Sequence, residues 1–155
     1  MINNRKAVIF GVSSHKLKKR EKAFFKHVKP WGIILFSRNI KNLDQTTKLV
    51  KDIKKIFRDY KFPILIDVEG GKVSRLNKII DLSEFSQSHF EKLYRKNKKL
   101  FFVYYEIFIN GVSNILNQVG ININTVPVLD LRRKKSHNII GERSFSEKNY
   151  IISKL

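Results

Sequence analysis

Short continuous runs of apolar residues alternate along the chain with longer stretches in which apolar residues recur every three or four positions. The short runs are typical of strands buried on both faces, and the longer stretches are typical of helices with one buried side. Strands are predicted over residues 7–11, 32–36 and 62–67, with a fourth inside 121–131. Helices are predicted over residues 17–28, 43–60, 89–119 and 146–155, with loops over 77–88 and 132–142. This alternation predicts an α/β fold in which crossover helices join parallel strands.

Capping residues stand where several of the predicted helices begin or end. Asn42, with Gln45 three positions later, is a good N-cap for the helix over 43–60. Gly120 is well placed to end the long helix, because glycine readily takes the left-handed conformation that follows many helices. Ser146 is a candidate N-cap for the last helix. These residues support the boundaries that the apolar spacing predicts.

Polar residues follow the predicted strands, where they would gather at one edge of a parallel sheet. Ser37 and Asp67 follow the second and third strands, Asp130 closes the fourth, and the next loop leads to Arg143. Active sites of (β/α)₈ barrels lie at this C-terminal rim, but such a barrel needs about 250 residues. The chain has 155 residues. We therefore expect about four βα units, the N-terminal half of a (β/α)₈ barrel, in one partial domain over residues 1–155.

The stretch from Ile64 to Leu76 carries the most chemistry. Three apolar residues end at Asp67, and Glu69, two glycines and Arg75 follow within eight positions. A carboxylate and a guanidinium at the end of a strand suit a small polyol such as a sugar, because both form charge-assisted hydrogen bonds with hydroxyls. The alternative is an ordinary acidic turn whose charge Arg75 neutralises. The stretch alone leaves both interpretations open.

The formal net charge of +19 raises the alternative of a partner that is a nucleic acid or an anionic membrane. The basic residues are spread along the whole chain, however, and there is neither a Cys/His finger nor an RNA-recognition motif. We expect no specific nucleic-acid partner, and only salt-sensitive binding without sequence preference. The apolar stretch over 100–112 is shorter than the roughly 20 residues that span a bilayer. The absence of cysteine also fits a reducing compartment, so a cytoplasmic protein without a membrane partner is predicted.

Four segments, in this order and spacing, carry a family resemblance. They are Gly32-Ile-Ile-Leu-Phe-Ser-Arg-Asn39, Ile66-Asp-Val-Glu-Gly-Gly-Lys-Val-Ser-Arg-Leu76, Pro127-Val-Leu-Asp130 and Ile140-Gly-Glu-Arg-Ser-Phe145. The chain resembles the glycoside hydrolase family 3 β-N-acetylglucosaminidases, which recycle peptidoglycan in the bacterial cytoplasm. The resemblance covers nearly the whole chain. It implies a β-N-acetylhexosaminidase-type glycosidase that removes terminal N-acetylglucosamine from muropeptides.

The resemblance also implies roles for three residues. Asp67, Arg75 and Arg143 match the residues that hold hydroxyls of the terminal N-acetylglucosamine. Each has a structural alternative: Asp67 accepts backbone N–H groups in its turn, and Arg75 makes only a rim salt bridge. For Arg143 the alternative is pairing with Glu142 or Asp130. Asp130 itself is interpreted as a structural acid at a strand tip, and Glu69 as an acid that stabilises its loop.

Other positions depart from the family pattern. Val68, Lys72 and Ser86 replace residues common in the family, and Lys72 cannot form the two-pronged contact of an arginine. The family's acid/base histidine and its nucleophilic aspartate come after the region that this chain matches. The four histidines, His15, His27, His89 and His137, lie outside that motif and lack metal-ligand spacing, so they are interpreted as surface or helix-end residues.

The predicted function follows from the presence of the substrate-binding residues and the absence of the catalytic ones. We expect no catalytic residue in this chain, no metal and no cofactor, and therefore no activity from the chain alone. The alternative is a non-catalytic sugar-binding or assembly half-domain that works with a complementary C-terminal half. A basic nucleic-acid-associated protein is a third and weaker hypothesis.

Overall fold

A computed structural model of the chain describes residues 4–133, 137 and 140–153. The strands are β1 (Lys6–Gly11), β2 (Pro30–Leu35), β3 (Ile64–Ile66), β4 (Val68–Gly70), β5 (Val73–Ser74) and β6 (Ile123–Asn124). The helices are α1 (Lys19–Val28), α2 (Leu43–Phe57), α3 (Gln87–Lys96), α4 (Lys98–Val119) and α5 (Asn149–Ile152). Single turns of 3₁₀ helix lie at Ser37–Asn39 and Gly141–Arg143. The predicted alternation of strands and helices is confirmed.

The main sheet has four parallel strands in the order β1-β2-β3-β6. Each crossover returns the chain to the next position on the same edge, so strands that are consecutive in this sheet are also neighbours. Register pairs join Ile33 to Ile64 and Leu35 to Ile66. Because the strands are parallel, their C-terminal ends all meet at one edge of the sheet. The predicted α/β fold with a parallel sheet is confirmed.

One face of this sheet is fully covered by helices. Ile33 and Leu35 of β2 and Ile64 and Ile66 of β3 are all 0% exposed. The side chains that cover them come from α1, α2 and α4: Phe25, Leu49, Val50, Ile53, Val112, Leu116 and Val119. Burial of this face against three helices forms the main hydrophobic core. None of the described helices is long and apolar enough to cross a membrane.

The opposite face of the sheet is only partly covered. The register places Ile9, Ile34, Leu65 and Ile123 on this side. Leu65 is buried, with its Cδ1 close to the position that a Cβ on Gly32 would occupy, so the glycine leaves room for it. Ile9, at the β1 edge, is 42% exposed. Apolar side chains therefore line both faces of the sheet, although helices cover only one of them.

Asparagine side chains extend the short pairing between β3 and β6. The Asn122 Oδ1 accepts from the Ile64 N–H at 2.8 Å, and its amide donates to Phe62 O at 3.1 Å. The Asn124 Oδ1 likewise accepts from the Val68 N–H at 2.9 Å. These amides satisfy backbone groups that a longer strand would pair. The fourth strand predicted inside 121–131 is thus confirmed, but its regular part is two residues long.

The prediction of one long helix over 89–119 is wrong in one respect, because this region forms two helices, α3 and α4. Asn97 is extended, with φ −155° and ψ 101°, and separates α3 from α4. Its N–H donates to Leu93 O at 2.8 Å, and its Oδ1 accepts from the Leu100 N–H at 3.1 Å. One asparagine therefore ends one helix and caps the next. Aromatic residues from both helices pack together, which is why the apolar spacing continues through the break.

Other predicted boundaries moved by a few residues. Asn42 caps α2 as predicted, but α2 ends at Phe57, and Arg58 turns the chain away with φ 49°. Tyr60 is therefore not part of the helix and is 78% exposed. The prediction that Ser146 caps the last helix is also wrong, because α5 starts at Asn149 with Lys148 as its N-cap. Residues 154–155 of that predicted helix, and most of 134–139 in the predicted loop, lie outside the described residues.

Candidate functional site

Asp67 lies directly after β3, at the edge where the strands of the main sheet end. Its Oδ1 accepts from the Thr125 hydroxyl at 2.5 Å, and its Oδ2 faces the Arg75 Nη2 at 3.3 Å. Thr125 directly follows β6, so the ends of two neighbouring strands meet at this carboxylate. The structural alternative, in which Asp67 only accepts backbone N–H groups of its own turn, is not what the geometry shows.

A two-stranded hairpin, which was predicted only as a turn, brings Arg75 back to Asp67. β4 and β5 pair antiparallel, and the Arg75 N–H donates to the Asp67 carbonyl at 3.1 Å. Gly70 has φ 83°, and a Cβ there would stand 2.1 Å from the Phe85 carbonyl oxygen. Since that contact is with backbone, only glycine fits. The double glycine therefore sets the hairpin that returns a guanidinium to the strand tip.

The Arg75 guanidinium has a well-defined setting. It lies over the Phe36 ring at 5.8 Å, and the Arg38 guanidinium lies over the same ring at 4.6 Å. Such contacts between cations and aromatic rings hold a guanidinium in place while leaving N–H groups available. The Arg75 Nε is buried and has no hydrogen-bond partner within the described part of the chain. An unsatisfied buried donor of this kind costs about 1–3 kcal/mol unless a ligand or water accepts from it.

Arg143 lies on the 3₁₀ turn Gly141–Arg143 and forms a second acid–guanidinium pair. Its Nε and Nη2 each donate to one carboxylate oxygen of Glu69, both at 2.8 Å. The Glu69 side chain is only 5% exposed. These hydrogen bonds raise the pKa of the Arg143 guanidinium. The acid that is hydrogen-bonded to Arg143 is thus Glu69, and neither of the predicted alternatives: Asp130 contributes only an electrostatic interaction with Arg143, and Glu142 pairs with Lys72 at 3.2 Å.

The N-terminal half of α3 holds the segment that carries Arg143. Glu91 accepts from the Ser146 hydroxyl at 2.9 Å, from Arg132 Nη2 at 3.1 Å and from Arg95 Nε at 2.8 Å. In the amide orientation that satisfies both ends, Gln87 donates to the Arg143 carbonyl at 2.8 Å. Burial acts to raise the pKa of the Glu91 carboxyl, but hydrogen bonds from Arg95 and Ser146 outweigh it, and the net shift is downward.

The guanidiniums of the two acid–guanidinium pairs border one cleft of about 660 Å³, whose lining does not include Asp67 or Glu69. Arg75 and Arg143 line it from two sides, and the exposed Lys72–Glu142 pair stands at its margin. The volume is in the range of pockets that hold small molecules. A cleft with two guanidiniums and a half-exposed carboxylate beside it can bind the hydroxyl groups of a neutral, polar ligand.

Other polar candidates lie elsewhere. His27 and His89 are exposed on helices, as predicted, whereas His15 is half-buried in the loop after β1, with its Nε2 unpartnered within the described part of the chain. Asp130 is exposed and six residues past the end of β6, so its assignment as a strand-tip acid is wrong. Over residues 4–133, 137 and 140–153, no three His, Asp or Glu side chains are grouped as metal ligands would be.

Sequence reasoning missed three residues that shape this site. Thr125 and Glu91 were not identified, and Glu69 was assigned only to loop stability. The sequence did contain a signal for Glu69: it lies two residues after Asp67, so two acids follow the same strand. Glu91 is the fifth residue of the ten-residue helix α3. In the sequence it looks like any exposed helical glutamate, so there is no signal for its burial.

The chain matches the family model described as the Glycosyl hydrolase family 3 N terminal domain over residues 3–155. It is 30% identical over 128 residues to beta-hexosaminidase A of Pseudoalteromonas piscicida, a match that covers 80% of this chain and 21% of that protein. It is 32% identical over 142 residues to the beta-hexosaminidase of Psychromonas ingrahamii, covering 90% of this chain and 40% of that protein.

Solved structures agree. NagZ from Neisseria gonorrhoeae in complex with N-trifluoroacetyl-D-glucosamine superposes with a TM-score of 0.84 at 26% identity, over 97% of this chain and 44% of that one. The chain therefore belongs to glycosyl hydrolase family 3 and corresponds to its N-terminal domain. It spans less than half the length of these relatives.

Proposed function

We propose that this chain forms the sugar-binding rim of a β-N-acetylhexosaminidase, with Asp67, Arg75 and Arg143 holding hydroxyls of a terminal N-acetylglucosamine. The observation that carries the proposal is the convergence of two acid–guanidinium pairs at the C-terminal edge of one parallel sheet, beside one cleft. Relatives with the same family domain are named beta-hexosaminidases. The NagZ structure that resembles this chain was solved with an N-acylated glucosamine derivative.

The geometry suggests how a sugar would bind. The Asp67–Arg75 contact is a single one of 3.3 Å between half-exposed groups, so a hydroxyl can insert between them at little cost. That hydroxyl donates to the carboxylate and accepts from the guanidinium. The buried Arg75 Nε, which has no partner among the described residues, would gain an acceptor in the same step. Arg143, held by Glu69, presents its guanidinium to the cleft from a fixed position.

The fold supports a role within a larger barrel. We infer that the four-stranded sheet is the first half of a (β/α)₈ barrel, with residues 1–155 as part of that domain. Sequential strand order and helices on one face are what such a barrel requires. The partly covered face with Ile9 would then face the barrel interior, against strands supplied by further chain or by a complementary half. The proposed setting is peptidoglycan recycling in a bacterial cytoplasm, with N-acetylglucosamine-containing muropeptides as substrate.

A retaining glycosidase needs a nucleophile and an acid/base that flank the scissile bond. None of the four histidines lies in the family's acid/base motif, so we propose that the 155-residue polypeptide binds the sugar without hydrolysing it. The assay is release of p-nitrophenol from p-nitrophenyl N-acetyl-β-glucosaminide, with buffer as the blank. Turnover that disappears in Asp67→Ala would show that the polypeptide holds a catalytic pair of its own.

Binding itself is tested by titrating ¹⁵N-labelled protein with N-acetylglucosamine and following amide shifts. We expect weak, millimolar affinity with little dependence on salt, because a neutral sugar releases no counterions. Asp67→Ala is expected to abolish the shifts. The matched control is Asp81→Ala, which removes an exposed acid whose hydrogen bond among the described residues is a local one, from the Ser83 N–H. Equal binding by wild type and Asp67→Ala would contradict the assignment of the rim.

A further inference from the structure

The two helices α1 and α2 carry the same pattern of positive charge. In each, four cationic residues occur at positions i, i+3, i+7 and i+10. They are Lys19, Lys22, Lys26 and Lys29 in α1, and Lys48, Lys51, Lys55 and Arg58 in α2, in both cases ending at the C-cap residue. All eight are exposed. We call these eight residues the basic array.

Helix geometry places the first three cations of each set in one row. At 3.6 residues per turn their spacing confines these side chains to about 60° of the helix surface, over a length of about 10 Å. The fourth cation follows at the left-handed C-cap residue. In α2 the row points directly away from Leu49 and Ile53, which are buried against the sheet. α1 packs beside α2, and both run antiparallel to the strands that they connect. The two rows therefore run in the same direction on neighbouring helices.

The cations of the basic array are available to a partner. Within the described part of the chain, none of the eight forms an ion pair, whereas arginines at the sugar rim are paired with Asp67 and Glu69. The Glu21 carboxylate, the one acid on α1, accepts from the Ser13 and Lys18 N–H groups instead. With their caps, the two helices hold eleven Lys or Arg against three acids, a net charge of +8. Unpaired charge at this density attracts a polyanion.

The chemistry of this surface distinguishes between two anionic partners. Insertion into an anionic membrane needs apolar side chains beside the cations. No large apolar residue of α2 is strongly exposed among the described residues, and the exposed Phe24 of α1 lies away from the row, with its ring 5.1 Å from that of Phe10. The phosphate backbone of a nucleic acid needs only the cations. The array therefore suits a phosphate backbone, and it lacks the apolar side chains that insertion into a lipid surface requires.

We propose that the basic array of α1 and α2 is a binding surface for the phosphate backbone of nucleic acid, without sequence specificity. The surface lies on the outer side of the helices, whereas the sugar cleft lies at the strand ends, so its occupation is independent of the proposed glycosidase function. Each phosphate neutralised by the array would release condensed counterions. The affinity would accordingly fall steeply with salt concentration.

A charge-matched pair of variants tests whether the array or the total charge is responsible. The array variant replaces the four central cations, as Lys22→Gln, Lys26→Gln, Lys51→Gln and Lys55→Gln. The control variant replaces four exposed cations around the α3–α4 junction, as Lys92→Gln, Lys96→Gln, Lys98→Gln and Lys99→Gln. Both lower the net charge from +19 to +15. Lysine and glutamine have similar helix propensity, and circular dichroism checks that both variants remain folded.

The measurement is fluorescence anisotropy with a labelled DNA duplex of arbitrary sequence, between about 50 and 200 mM salt. For the array variant we expect the slope of log K against log salt to be smaller by about 3–4 in magnitude, since each lost contact removes about 0.9. The control variant is expected to change the slope by less than about 1. Equal losses in the two variants would overturn the proposal, because net charge would then explain the binding. Absence of DNA binding by the wild type at low salt, or binding to anionic phosphatidylserine vesicles in preference to DNA, would also overturn it.

Discussion

The two acid–guanidinium pairs at the rim differ in a way that separates recognition from support. Asp67 and Arg75 meet through one contact of 3.3 Å, and their side chains are 21% and 30% exposed. Glu69 and Arg143 meet through two hydrogen bonds of 2.8 Å, and Glu69 is 5% exposed. The two acids are only two residues apart in the sequence. One short run of sequence thus supplies an acid for a pair that a ligand can open and an acid for a pair that two hydrogen bonds hold closed. We call the second the locked pair.

The physical reason lies in desolvation. A carboxylate as buried as that of Glu69 is stable only when hydrogen bonds replace its lost water, and a bidentate arginine does this best. Asp67 keeps partial contact with solvent, so its charge does not depend on Arg75 alone. A ligand hydroxyl can therefore displace the single contact between Asp67 and Arg75. A hydroxyl that displaced Arg143 from Glu69 would instead leave a buried carboxylate without the hydrogen bonds that replace its lost water. We therefore expect substitutions in the Glu69–Arg143 pair to reduce mainly the stability of the fold, and substitutions in the Asp67–Arg75 pair to reduce mainly sugar binding.

Removing Glu69 should have the largest effect on stability. Glu69→Ala removes both carboxylate oxygens that accept from Arg143, and we expect a loss of about 3 kcal/mol in the free energy of unfolding, because each hydrogen bond to a charged group contributes about 1.5 kcal/mol or more. Urea denaturation followed by circular dichroism measures it. Glu142→Ala, which removes an acid from the exposed pair with Lys72, is the control and should cost less than about 0.5 kcal/mol. Equal losses in the two variants would show that the Glu69 pair is not locked.

Glu91 is a third acid of this site and, like Glu69, it is buried and held by several hydrogen bonds. Its contribution to the free energy of unfolding should depend on pH. We expect Glu91→Gln to lose about 2 kcal/mol at neutral pH, because hydrogen bonds to a charged acceptor are replaced by weaker ones. The pKa of Glu91 is lowered in the folded state from its ordinary value of 4.5, so its stabilising contribution is present above that value. It is lost as the pH falls through the lower folded pKa. Urea denaturation at descending pH should show the two unfolding curves converge; a constant gap would contradict this assignment.

Replacing the arginine while keeping its charge should have an intermediate effect. Arg143→Lys keeps a cation near Glu69 but cannot donate to both oxygens with one planar group. We expect a loss of about 1–2 kcal/mol in unfolding free energy, smaller than for Glu69→Ala. The matched comparison is Arg75→Lys, where one contact of 3.3 Å is at stake and little stability should be lost. A reversed order of the two variants would exchange the roles assigned to the pairs.

Asp67 should show the smallest change in stability and the largest change in binding. Asp67→Asn keeps the size of the side chain and removes its charge, so we expect less than about 1 kcal/mol of destabilisation. The affinity for N-acetylglucosamine, measured by amide shifts, should fall at least about tenfold, which is the loss of roughly 1.4 kcal/mol of charge-assisted hydrogen bonding. Strong destabilisation with unchanged sugar affinity would place Asp67 among the supporting residues instead.

The sequence by itself determined the elements that depend on local pattern. Alternating apolar runs predicted the strands of the main sheet, and the N-cap Asn42 and the terminal Gly120 were read correctly because capping involves residues a few positions apart. The family motifs selected Asp67, Arg75 and Arg143, and two of these, Asp67 and Arg75, contact each other directly. The seven residues between them form one hairpin, so their meeting was within reach of local reasoning.

Only the tertiary structure decided the pairings between residues that are far apart in the sequence. Glu69 and Arg143 are separated by 74 positions, Asp67 and Thr125 by 58, and Glu91 and Ser146 by 55. Periodicity describes which side of an element is buried, but it does not describe which distant segment covers that side. The break at Asn97 was hidden for the same reason, since packing between α3 and α4 makes one apolar stripe from two helices. Contacts of this range depend on how the whole chain folds, because burial and pairing are properties of the assembled core.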